Sequence, residues 1–219
     1  GQGNVDLRLL GRLDPQTQTL RQLQGLGNVT LKDAAIASPF LPDTPITDVN
    51  GQILADLNTL QVTHLSGKIS GGDLAISGTL PLQNPLPITT QPLQLSLNNL
   101  AVDVPSLYQG ALIGNVDITG TAIAPHIGGK LTLSNGNIFI GSASLPKPTS
   151  TSPTPNQGPQ FRGLTLALSE NIRVQNRPFL DFAAVGNLRL FGSVDHLQPQ
   201  GQITLKGGQI NLFASQLRL

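Results

Sequence analysis

The chain has 219 residues, a formal net charge of +1 and only 11% charged residues. Without a Lys/Arg cluster to neutralise phosphates, and with only seven Phe and one Tyr for base stacking, the composition argues against nucleic-acid binding. The absence of Cys removes disulfides, thiol catalysis and Cys-based zinc sites, and no apolar run approaches the ~20 residues of a membrane-crossing helix.

There is no Met, not even at position 1, and no signal peptide. The expectation is one elongated domain, residues 1–219, cut from a longer protein that carries any membrane anchor elsewhere.

Alternation begins at once. Val5, Leu7 and Leu9 are spaced by Asp6 and Arg8, and period two puts successive side chains on opposite faces of a sheet. GNVTL at 27–31 echoes GNVDL at 3–7, and GKISGGDLAISG at 67–78 has the same flavour. Ser38–Thr47 and Pro81–Pro92, rich in Pro, read as irregular connections. Leu93, Leu95 and Leu97 alternate with Gln94 and Ser96. A short helical turn is allowed at Pro105–Gln109, and no longer segment reads as an amphipathic helix.

From Gly114 the chain writes one phrase twice. GNVDITGTAIAPHIGGKLTLSNGNIFI starts at Gly114, and GNLRLFGSVDHLQPQGQITLKGGQINL starts at Gly186. Gly114, Asn115, Gly120, Gly129, Thr132, Leu133, Gly136 and Ile138 recur as Gly186, Asn187, Gly192, Gly201, Thr204, Leu205, Gly208 and Ile210. In the first copy Leu131 and Leu133 have one parity and Ile138 and Ile140 the other. Ile203, Leu205, Ile210 and Leu212 repeat this switch in the second. A strand, a tight Gly-containing corner and a second strand would keep all four aliphatics on one side, with Gly136 and Gly208 at positive φ.

Between the copies, 142–160 is rich in Pro, Ser and Thr. It reads as a flexible insert, replaceable by a short Gly/Ser link at little cost because loop-closure entropy grows slowly with length. Then Leu164, Leu166 and Leu168 alternate with Thr165 and Ala167, Ile172 and Val174 keep parity, and Leu188 and Leu190 follow in the second copy.

These patterns give an all-β fold with one aliphatic face. The candidate lining residues are Leu131, Leu133, Ile138, Ile140, Leu164, Leu166, Leu168, Ile172, Val174, Leu188, Leu190, Ile203, Leu205, Ile210 and Leu212. Period alone leaves open whether that face closes a sandwich or lines a half-pipe.

Chemistry is sparse. His64, His126 and His196 have no partner at metal-ligand spacing, and His126 and His196 read as surface-loop residues. There is no G-x-S-x-G elbow. GGKLT at 128–132 fails as a phosphate loop, because Ala124 and Leu131 stand where Gly and Ser or Thr are required. The Asp residues and the single Glu170 are scattered. No enzyme, metal or cofactor is expected.

The stretch Leu164–Leu219, with its NIRV, AAVGNLRLFG and GQITLKGGQINL segments, resembles the C-terminal domain of TamB-like proteins. Gly114–Ile140 fits less fully, only echoes precede Gly110, and the Pro/Ser/Thr insert is a departure. The resemblance implies a single curved, mostly antiparallel sheet, a half-pipe or β-taco around a hydrophobic groove. It implies a periplasmic segment of a protein anchored in the inner membrane and reaching the outer membrane, within the AsmA-like, bridge-like lipid-transfer group. A plastid relative bridges the envelope translocons. The implied roles are phospholipid transport and outer-membrane protein assembly or secretion. The implied partners are phospholipid acyl chains, an outer-membrane assembly-factor barrel (TamA-like) and adjoining β-segments of the same protein. Two other readings stand beside it: a module that accepts outer-membrane strands by edge pairing, and a β-solenoid surface adhesin.

Overall fold

The computed structural model describes residues 1–14, 19–38, 41–83, 91–104, 106–141, 158–193, 196–212 and 215–218. The chain is all-β. The strands are β1 (Gln2–Asp14), β2 (Thr19–Ser38), β3 (Leu41–Asp56), β4 (Thr59–Ile69), β5 (Gly72–Pro81) and β6 (Leu93–Val104). They continue with β7 (Tyr108–Gly120), β8 (Pro125–Phe139), β9 (Gln160–Asn176), β10 (Leu180–Ser193), β11 (Leu197–Leu212) and β12 (Ser215–Arg218). They form one 12-stranded sheet in sequence order, from β1 at one edge to β12 at the other. Every neighbouring pair is antiparallel except β8–β9, which is parallel. This antiparallel meander is not the coil of a β-solenoid.

The sheet curls. In a flat sheet, strands two apart lie about 9.5 Å from each other. Here backbones of β5 and β7, and of β4 and β6, come within 8 Å. At one end the Ala122 N–H, in the β7–β8 turn, donates to the Pro81 carbonyl at the end of β5 (2.8 Å), beyond the start of β6.

Several expectations change here. Within Ser38–Thr47, residues 41–47 belong to β3 rather than to an irregular loop. Its ladder to β4 begins only at Thr47↔Lys68. Pro42 and Pro45 therefore have no β4 partner to serve, and proline is tolerated where the ladder is open. The helical turn allowed at Pro105–Gln109 is instead a tight β6–β7 turn, closed by Leu107 N–H to the Val104 carbonyl (3.0 Å). His126 lies in β8, half-buried, rather than in a loop.

The repeated phrase encodes a hairpin, β7–β8 in the first copy and β10–β11 in the second. The expected corner is a bulge inside one continuous strand. The register slips across Ser134–Gly136 in β8, and across Lys206–Gly207 in β11. In β8 the left-handed residue is Asn135 (φ 48°), not Gly136. Gly136 and Gly208 are needed for room: a Cβ there would strike the Gln109 and Asp181 carbonyls and the rings of Tyr108 and Phe182. Related bulges with left-handed residues occur at Asp33, Asp48 and Asn99. Together they form a crease running obliquely over the sheet, as expected where bulges bend strands and add twist.

Residues 142–157 of the proposed insert lie outside the described residues. Their flanks are informative. β9 starts beside the beginning of β8 (His126↔Gln160), whereas β8 ends beside Gln175 near the end of β9. A parallel pair needs a crossover of about a dozen residues or more, and this one returns along roughly 45 Å of strand at ~3.3 Å per residue. The expectation that a short link would suffice is therefore overturned. Replacing 142–157 by a Gly/Ser segment of equal length should leave the melting temperature nearly unchanged. A link of about four residues reaches only ~14 Å and should abolish cooperative melting. Equal melting of both variants would contradict the parallel pairing.

Candidate functional site

Residues paired directly across a ladder share a face, so the register decides which side chains meet. One rung runs Leu97, Gly114, Leu131, Leu166, Leu188, Gly201 from β6 to β11. The next runs Leu100, Leu112, Leu133, Leu168, Gly186, Ile203. The following rungs hold Gly136, Ile172, Ala184 and Leu205, then Tyr108, Ile138, Val174, Phe182 and Gly208. Leu164 pairs with Leu190, and Ile210 with Leu180. Thirteen of the candidate lining residues thus stand on one face. Ile140 follows the end of β8, its N–H bonded to the Gln175 carbonyl (2.9 Å). Leu212 ends β11 opposite Ser215, and its side chain lies outside the described residues.

The face is not uniformly open. Leu164, Leu168, Ile172, Val174 and Leu190 are buried, and Ile172 and Ala184 are at 0% exposure. Leu131, Leu133, Ile138, Leu166, Leu188 and Ile210 are half-buried. Ile140, Ile203 and Leu205 are exposed, Leu205 at 48%. At the other margin Val5 is 59% and Leu7 76% exposed. The sheet therefore forms a trough packed in its middle and open at both margins.

The packing falls into two tiers, one toward each end of the strands. On one side are Val62, Leu80 and Leu93, and Val116, Leu164 and Leu190. On the other are Ile69, Leu74 and Leu100, and Tyr108, Leu168, Ile172, Val174 and Ala184. The candidate residues from the sequence covered only β8–β11. The strands β4–β7 contribute as much, and the Leu93–Leu97 alternation and the GNVDI phrase already signalled two of them. Tyr108 and Ala184 had no such signal: one is a lone aromatic beside a turn, the other a small residue.

Tyr108 anchors the upper tier. Its hydroxyl donates to the Ala111 carbonyl (2.8 Å), with the Ser134 carbonyl at 3.2 Å. Burial raises its pKa, so the phenol stays a neutral donor. Gly114 and Gly186 occupy the trough face at φ 145° and 149°. A Cβ there would run into the Lys130 and Gln202 carbonyls of the paired strands, so this backbone conformation demands glycine at both.

The opposite face is polar. Gln52 bonds Asn28 (2.9 Å), Ser96 bonds Asn115 (2.7 Å) and Asn171 bonds Asn135 (2.9 Å). Arg173 pairs with Asp181 at 2.7 Å, and its hydrogen bond holds the Asp181 carboxyl below its ordinary pKa. One depression of about 390 Å³ is lined on this face by Asp6, Arg8, Leu26 and Leu54, and one of about 590 Å³ by Asp48, Lys68, Asp73 and Ser96. A third, about 520 Å³, lies at the rim between Ile69, Asn99 and Val102. The polar groups of these depressions do not converge as a catalytic constellation would.

Two predictions follow from burial. Ile172→Ala should lower unfolding free energy by about 2–5 kcal/mol in urea titrations, whereas Ile203→Ala should cost under about 1 kcal/mol. Equal losses would contradict a trough packed in the middle and open at β11. Tyr108→Phe should cost about 1 kcal/mol for the lost hydrogen bond without changing the cooperativity of melting; no change would mean the hydroxyl is not tethered.

Residues 63–219 match the family model described as the TamB C-terminal domain. The chain is 25% identical over 244 residues to the protein SUBSTANDARD STARCH GRAIN 4, chloroplastic, of Oryza sativa subsp. japonica, covering 88% of this chain and 11% of that one. It is 24% identical over 279 residues to the protein TIC236, chloroplastic, of Arabidopsis thaliana, covering 100% of this chain and 12% of that one. The chain thus spans about a tenth of the length of these relatives. No solved structure matches it.

Proposed function

The chain belongs to the TamB C-terminal domain family, and from that premise we propose that it is a segment of an envelope-spanning bridge whose trough carries phospholipid acyl chains. The observation behind this reading is the exposure of aliphatic side chains at both margins of an otherwise packed apolar face. The protein would be anchored in an inner membrane, cross the periplasm or an equivalent space between two membranes, and reach the outer one. There it would work with an assembly-factor barrel.

The energetics suit passage rather than capture. A buried CH₂ gains about 0.8 kcal/mol against water, so a sixteen-carbon tail gains on the order of 10 kcal/mol on leaving water. On leaving a bilayer it gains almost nothing. Tails can therefore slide along Leu, Ile and Val while headgroups stay wet. A second reading, assembly of outer-membrane proteins, draws on β1. This strand of 13 residues pairs with β2, and a strand edge is where an added strand would pair in such a role.

Leu205→Asp tests the lipid reading. The residue is exposed enough for the fold to survive, and a carboxylate at the lip is costly beside an acyl chain. In the full-length protein this variant should stop lipid passage and abolish photo-crosslinking to lipid from position 203. Thr204→Asp, on the polar face, should be mild. Unimpaired lipid passage in Leu205→Asp, or a crosslinker at 203 that captures only protein, would sink the conduit.

A further inference from the structure

The polar face of β8–β10 carries a cationic patch that the trough does not use. Its central rung runs Asn115, Lys130, Thr165, Arg189, Gln200. Arg162, paired with Phe191, stands next to it on the same face, and His126, opposite Gln160, continues it along β8. Lys130, Arg162 and Arg189 are exposed. Three cations elsewhere on the sheet have carboxylate partners: Arg8 with Asp6 at 3.6 Å, Lys68 with Asp48 at 3.5 Å, Arg173 with Asp181 at 2.7 Å. Among the described residues, none of the patch cations has such a partner. The carboxylate on the neighbouring rung, Asp117, is held by the Gln94 amide at 3.1 Å. Burial, with a smaller contribution from the field of Arg162, lowers the pKa of His126.

We propose that this face docks on an anionic membrane surface. The charges are spread over neighbouring strands: Lys130 and Arg189 lie two strands apart, about 9.5 Å, and none of them lines a described cavity. A small anion needs donors that converge, whereas a plane of anionic headgroups is met by charges spread on a broad face. Each Lys or Arg near such a surface strengthens binding roughly fivefold, so three give about a hundredfold, screened by salt. Docking rests on the charge pattern alone and is independent of what the trough holds.

The test is cosedimentation of the 219-residue chain with vesicles of phosphatidylcholine alone or mixed with phosphatidylglycerol. The chain should bind the mixed vesicles, weaken with added salt, and leave neutral vesicles in solution. Lys130→Gln, Arg162→Gln and Arg189→Gln together should weaken binding about a hundredfold with unchanged melting, and Lys68→Gln should not. Equal binding to both vesicles, a triple variant that binds like the parent, or binding to soluble polyglutamate but not to vesicles would overturn the proposal. Leu205→Asp should still bind the mixed vesicles, so the two readings can fail separately.

Discussion

One constraint governs this molecule: a single sheet with one apolar face and, among the described residues, no second layer to cover it. A flat sheet would leave every Leu, Ile and Val of that face half in water, each worth about 1.5–3 kcal/mol if buried. Curling lets strands on the same sheet cover one another. That is how Ile172 and Ala184 reach complete burial without any helix or partner sheet among the described residues. At two positions on this face the paired backbone leaves no room for a side chain. Gly114 stands between Leu97 and Leu131, and Gly186 between Leu168 and Ile203.

The oblique crease follows from the same geometry. Each bulge inserts residues that pair with nothing and turns the strand, so parity switches while the aliphatics stay inside. Asn and Asp fill its left-handed positions because their short polar side chains tolerate that conformation. The repeat in the sequence is the mark of one hairpin design used on both sides of β9.

Much of this was legible in the sequence. Alternation at Leu164–Leu168 and Leu93–Leu97 showed strands, and the parity switch after Leu133 and Leu205 showed that something turned there. Its form was not legible. A corner between strands and a bulge within one produce the same parity, and only the ladder to Tyr108 and Phe182 separates them. The parallel β8–β9 pair was hidden too, because strand direction leaves no trace in alternation. The site was half legible: parity placed Leu131, Leu166 and Leu188 together, but it could not tell buried Ile172 from exposed Leu205. That difference depends on position across the curl, a property of twelve strands and not of one.

Together, a packed floor and open margins make a groove that a flexible apolar chain could enter from its lips. The most direct measurement is organic extraction and mass spectrometry of the chain purified from membrane-containing cells and freed of detergent. The trough predicts phospholipid recovered in near-stoichiometric amount, and regained from vesicles after stripping. A chain that purifies without lipid, takes up none from vesicles and still melts cooperatively would show that the aliphatic face is a closed core.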